Sequence, residues 1–242
     1  MIKGSDGGSL TGLYTQDAIV FGNGTNDGNI NNYNVSRCNV SYIASNSNLA
    51  ANNLFYENIV RTNISMANAQ SNAFYNNIIA GSLVNVGANN VFKNNTFLSP
   101  DLYGNPSNIL NSVFENNVFI SVNSLASFNN NIFNNNLFVE NLTFPYNANI
   151  GSNNIVNQAQ NSIFISQSGN TFSYNQNYHL KATSPGVNAG TDGKDIGIYG
   201  GLFPWKDGSV PNNPHIQSKT ISGTTDQNGN LQINIKVKAQ DN

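Results

Sequence analysis

The sequence is short of charge. Of its 242 residues only 9% are Asp, Glu, Lys or Arg, and ten basic against twelve acidic side chains leave a net charge of −2. A grip on nucleic acid built from clustered Lys and Arg is thereby excluded. Cysteine occurs once, as Cys38, so no internal disulfide can form. With no metal-ligating neighbours, Cys38 reads as a small buried residue. No apolar run approaches the ~18 residues that a membrane span needs, and the opening MIKGSDGGSL lacks the apolar core of a signal peptide. That opening also lacks the atypical segment with which solenoids cover a terminal coil. The expectation is therefore an amino-terminally truncated chain whose upstream part carries a cap and an export signal.

Asparagine is what the chain has in excess, at roughly a fifth of all residues against its modest share of ordinary domains. With 14 Phe and 10 Tyr, low charge does not mean disorder, because disordered chains are poor in aromatics. Between Asn52 and Asn141 one phrase returns as NNLFYENIV, SNAFYNNII, NNVFKNNTF, NSVFENNVF and NNIFNNNLF. Its anchors Phe55, Phe74, Phe92, Phe114 and Phe133 recur at the period of one supersecondary unit. Three residues after each anchor stands Asn58, Asn77, Asn95, Asn117 or Asn136. Stacked coils about 4.8 Å apart let each amide bond its counterparts above and below. A Phe column and an Asn column together specify a parallel β-helix.

The other columns follow from alternation. Position +5 from the anchor (Val60, Ile79, Phe97, Phe119, Phe138) is read as a second inward stack. Position +4 (Ile59, Ile78, Thr96, Val118, Leu137) then points outward, and an exposed apolar column calls for a covering segment or partner. Position +1 (Tyr56, Tyr75, Lys93, Glu115, Asn134) reads as facing solvent, with Lys93 and Glu115 paired across one coil. Matching Asn39 to Asn58 puts Ser36 in the Phe column of an earlier coil.

Coils of variable length, with no hexapeptide rhythm and no glycine-aspartate nonapeptide, favour a right-handed helix. NNVFKNNTF resembles the consensus coil of the right-handed parallel β-helix superfamily, that of pectate lyase-like proteins, over residues 35–138. The resemblance implies fold more than function, since this solenoid hosts lyases, hydrolases, epimerases, adhesins and binding proteins. Residues 178–201 (YHLKATSPGVNAGTDGKDIGIYGG) resemble the segment that closes many secreted bacterial β-helix domains, through Leu180, Ser184, Pro185, Gly190, Asp195, Ile196, Gly197, Gly200 and Gly201. Asn188 stands where that segment usually has an acidic residue. After a link marked by Pro204, Pro211 and Pro214, Asn228-Gly229 and the alternation LQINIKVKA predict a β-hairpin, similar to tails on bacterial β-helix proteins. Two strands alone are marginal in water, so the hairpin is expected to pack on the solenoid. The reading is an all-β chain with a right-handed parallel β-helix over 1–203 and a linker and hairpin over 204–242.

The chemistry is sparse. Lyases of this fold need a cation to neutralise the substrate carboxylate and a Lys or Arg base beside it, but Arg61 and Lys93 fall in different columns. Glu57 and Glu115 stand three coils apart, about 14 Å, beyond the ~5–9.5 Å of paired glycosidase carboxylates. His179 and His215 read as structural residues. Asp192 and Asp195 in TDGKD are the one candidate for calcium, weighed against capping of backbone amides. Outward Tyr56 and Tyr75 with Lys93 offer a platform for a polysaccharide. The expected function is thus a non-catalytic secreted or surface β-helix, structural or carbohydrate-binding. The alternative is a fragment of a polysaccharide lyase or glycoside hydrolase whose catalytic coils lie upstream.

Overall fold

A computed structural model of the chain describes residues 6–22, 29–45, 49–66, 69–99, 109–121, 128–206 and 215–238. The chain divides into two compact units, Met1–Pro204 and Trp205–Asn242. The first is a parallel β-solenoid. Its longest sheet passes through strands Asp6–Thr11, Asn29–Ser36, Leu54–Tyr56, Ala73–Tyr75, Val91–Lys93, Val113–Glu115, Ile132–Asn134 and Ile150–Ser152, each parallel to the next. A second sheet runs from Ala18–Phe21 to Leu137–Phe138, and a short third one joins Gly87–Ala88, Ile109–Leu110 and Phe128–Asn129. A coil such as 87–97 therefore has three strands and two corners. The one α-helical turn among the described residues is Gln160–Ile163.

Register follows the inward aromatic columns. Phe55 pairs with Phe74, Phe74 with Phe92, Phe92 with Phe114 and Phe114 with Phe133. All five rings are fully buried and stack with centroids 4.6–4.8 Å apart. The position +5 column is equally buried, and Phe97, Phe119 and Phe138 stack at 4.6 Å. Such pairs add about 0.5–1.5 kcal/mol each beyond their burial. One alignment is corrected. Val35, not Ser36, pairs with Phe55, while Ser36 pairs with Tyr56. The inward position wants an apolar side chain, and that preference outweighs the match of Asn39 to Asn58. Cys38 consequently takes the asparagine position of its coil, buried as expected, and burial raises its thiol pKa.

Each corner is a single residue in the left-handed region. On one side of the long sheet these are Gly7, Asn32, Asn52, Ser71, Asn89, Asn111, Asn130 and Ala148; on the other, Gly12, Arg37, Glu57, Asn76, Asn94, Asn116, Asn135 and Asn153. Glycine and asparagine tolerate positive φ better than other residues, so the excess of asparagine begins here. From Asn52 and Glu57 onward, the residue after each corner is a ladder member, buried in all but Asn154. Asn58, Asn77, Asn95, Asn117, Asn136 and Asn154 form the expected ladder; Asn53, Asn72, Asn90, Ser112, Asn131 and Asn149 form a second one. Asn95 illustrates the wiring. Its Oδ1 accepts from the backbone N and the Nδ2 of Asn77, and its Nδ2 donates to Asn117 Oδ1 and to the Phe74 carbonyl. Four hydrogen bonds satisfy the amide and two backbone groups that the corner frees. Ser112 has no amide oxygen to accept from Asn90 Nδ2; its hydroxyl accepts only the Asn90 backbone N–H. Asn90 Nδ2 turns instead to the Val86 carbonyl at 3.1 Å, so the second ladder is interrupted there.

The second unit holds an antiparallel hairpin, His215–Thr225 with Leu231–Lys238. Ile221 faces Ile233 and Ile216 faces Val237. Its turn is wider than a two-residue Asn-Gly turn. Gly229 N donates to the Asp226 carbonyl and Asp226 N to the Asn230 carbonyl, with Gly229 at φ 79°. That is a type I turn closed by a left-handed glycine. The link at Pro211 and Pro214 and the side chain of His215 lie outside the described residues.

Candidate functional site

The outward apolar column at position +4 is buried: Ile59 at 5% exposure, Ile78 at 1%, and Thr96, Val118 and Leu137 at 0%. Its cover comes from the carboxy-terminal part of the same unit. Residues 186–203 run back along the coils as a strap. Asn135 Nδ2 donates to the Ala189 carbonyl, and Asn116 exchanges two 3.0 Å bonds with Thr191 through its amide. Further along, Asn94 Nδ2 reaches the Gly197 carbonyl at 3.2 Å, and Asn76 Nδ2 reaches those of Ile198 and Gly200 at 3.0 and 2.6 Å. The left-handed corner asparagines thus read the strap's backbone, one coil after another. Beyond its end the same column holds Arg37 and Glu57, which pair with each other at 2.7 Å instead.

The strap's glycines are there for close approach. A Cβ on Gly200 would collide with the Asp195 carbonyl, and one on Gly201, at φ 74°, would sit 2.5 Å from Asn94 Oδ1. Gly197 lies over Val118 and Thr96. The Thr96 hydroxyl beneath it is buried without a hydrogen-bond partner. At the far end Phe203 stacks on Tyr56 at 4.3 Å and on Tyr75 at 6.0 Å.

Between the strap and the position +1 column lies a furrow of about 220 Å³, lined by Tyr75, Lys93, Asn94, Glu115, Thr191, Asp192 and Leu202. Lys93 Nζ pairs with Glu115 Oε1 at 2.7 Å, the ion pair expected from their columns, and Thr191 Oγ1 donates to the same oxygen at 2.7 Å. The position +1 side chains are half-buried rather than turned wholly to solvent, because the strap flanks them. Of the residues singled out from sequence, Tyr75, Lys93 and Asp192 meet here. Tyr56 does not line the furrow, since Phe203 lies on its ring. Asp195 turns its carboxylate to the Asn188 backbone N–H at 2.9 Å, and Asp192 Oδ1 accepts from Lys194 N at 3.2 Å. Both aspartates cap backbone amides. Among the described residues no three of His, Cys, Asp and Glu converge as metal ligands do. His179 stacks on Tyr199 with ring centroids 3.6 Å apart.

Sequence reasoning missed Thr191, Leu202 and the corner asparagines as parts of one site. Their signal was present as the Asn-Asn pair before Ile78, Thr96, Val118 and Leu137 and as the glycine spacing of the strap. Arg61 lies away from the furrow, over Tyr14, and donates to the Thr15 carbonyl. No protein-family model matches the chain, and no curated protein matches it in sequence. The site's chemistry therefore rests on its own residues.

Proposed function

We propose that this chain is a non-catalytic, right-handed β-helix of the pectate lyase-like superfamily, exported to the cell exterior or surface, that holds a polysaccharide at the furrow beside the strap. One observation carries the reading: an aromatic ring, an ion pair, amides and a hydroxyl line a single shallow concavity across successive rungs. A flat ring for stacking and fixed polar groups around it suit sugar hydroxyls. Each contact is weak, and a polymer crossing several rungs gains affinity from their number.

The second reading, a polysaccharide lyase or glycoside hydrolase, is favoured by Glu115 and Asp192 reaching the same furrow. One experiment separates the two. Neutral and uronate oligosaccharides are titrated into the protein with and without calcium, and the mixtures are assayed for new reducing ends and for unsaturated products. Binding that falls with Tyr75→Ala and Lys93→Ala, without turnover, is the expected result. Cleavage lost in Glu115→Gln or Asp192→Asn overturns the non-catalytic reading. Binding indifferent to Tyr75 and Lys93 overturns the furrow.

A further inference from the structure

The two corners of each coil are copies of one another. At the strapped corner the chain reads left-handed residue, ladder residue, outward apolar residue: Asn76-Asn77-Ile78, Asn94-Asn95-Thr96, Asn116-Asn117-Val118, Asn135-Asn136-Leu137. At the opposite corner it reads the same way: Asn52-Asn53-Leu54, Ser71-Asn72-Ala73, Asn89-Asn90-Val91, Asn111-Ser112-Val113, Asn130-Asn131-Ile132. The φ angles match, 52–57° against 51–58°. What differs is the cover. The strapped asparagines Asn76, Asn94 and Asn116 are buried, whereas Asn52, Ser71, Asn89, Asn111 and Asn130 are all exposed. Among the described residues the side chains of Asn52, Asn89, Asn111 and Asn130 have no hydrogen-bond partner. The apolar column beside them is only half-buried at Leu54, Ala73, Val91 and Val113, and opens to 36% exposure at Ile132.

We infer that this open corner is a docking strip for a glycine-rich, non-helical polypeptide segment of a partner, bound as the strap is bound to the other corner. The strap defines the chemistry of the occupant. Side-chain amides at rung spacing donate to backbone carbonyls, and small residues let that backbone come down onto the apolar column. A glycan offers hydroxyls but no row of carbonyls of this kind. The open corner has no charge in any of its three columns from Asn52 to Ile132, so binding there does not rest on ion pairs and should tolerate salt.

The test uses the whole chain and a labelled synthetic peptide with the strap sequence, residues 186–203 (GVNAGTDGKDIGIYGGLF), read by fluorescence anisotropy. The expected result is saturable binding below about 1 mM. It should fall at least about tenfold, or ~1.4 kcal/mol, in the triple variant Asn52→Gly, Asn89→Gly, Asn111→Gly, which keeps the left-handed backbone accessible. Val91→Lys, on the adjoining column, should weaken it as well, with circular dichroism reporting the fold of each variant. Asn94→Gly, at the strapped corner, should leave it unchanged. No saturation, or binding that responds to Asn94→Gly but not to the triple variant, overturns the inference, since the peptide would then only be exchanging with the strap. An oligosaccharide that displaces nothing but itself loses affinity in the triple variant also overturns it.

Discussion

Two corners of one coil, alike in backbone and nearly alike in sequence, end in opposite states. At one, the side-chain amides of Asn76, Asn94, Asn116 and Asn135 hold a strap and the apolar column beneath it is dry. At the other, the same arrangement stands open. The difference separates two uses of asparagine. The ladder asparagines, present at both corners, satisfy backbone groups and hold the coils in register. The corner asparagines supply a left-handed backbone at both corners but hold a second chain only where one lies on them.

The ladder should therefore matter most. Asn95→Leu removes the acceptor of Asn77 N and Nδ2 and the donor to the Phe74 carbonyl. With about 1–3 kcal/mol for each buried group left unsatisfied, a loss of about 3–5 kcal/mol is expected in urea denaturation. Next comes the strap itself. Gly200→Ala drives a Cβ into the Asp195 carbonyl and is expected to cost about 2–3 kcal/mol, in the upper part of the usual range for one substitution. It should also make Val118 and Ile78 accessible, read as binding of a hydrophobic dye. Thr96→Val goes the other way. It removes a buried hydroxyl without a partner and should stabilise by up to about 1 kcal/mol, measured by thermal melting.

The smallest effect belongs to the hairpin turn. Hydrogen bonds from the Asn230 backbone, the Asn230 side chain and the Asn228 backbone hold the Asp226 carboxyl below its ordinary value of 3.8. A lowered folded pKa means stability present above the unfolded value and lost as pH falls through the folded one. The turn should hold near neutral pH and loosen only in acid below about pH 4, visible as rising amide exchange at Gly229 and Asn230. Asp226→Asn should flatten that dependence.

Much of this was legible in the sequence, and the parts that were not have physical reasons. The Phe columns, one Asn ladder and the Lys93–Glu115 pair follow from a fixed coil period, because equivalent residues must stack. The need for a cover over Ile78 and Val118 followed from alternation. The second ladder was hidden because Asn53, Asn72 and Asn90 lie just before the strand that carries the Phe anchor, where a polar residue needs no special reason, and Ser112 interrupts the column. The furrow was hidden for a different reason. Asp192 and Thr191 come long after Glu115 in the chain, and no periodicity says that the strap returns beside it.

The most direct test of two equivalent corners with unequal cover lies within a single coil, at Asn111 and Asn116. Both have φ above 50°, so replacement by glycine leaves either backbone free to keep its conformation. Asn116→Gly deletes two hydrogen bonds to Thr191 and should lower the free energy of unfolding by about 1–3 kcal/mol at about 0.5–1.5 kcal/mol each. Asn111→Gly deletes an amide that faces solvent and should stay within about 0.5 kcal/mol of the parent. Equal losses in the two variants would contradict the account, because the strap would then add nothing to a corner that its sequence and backbone already define.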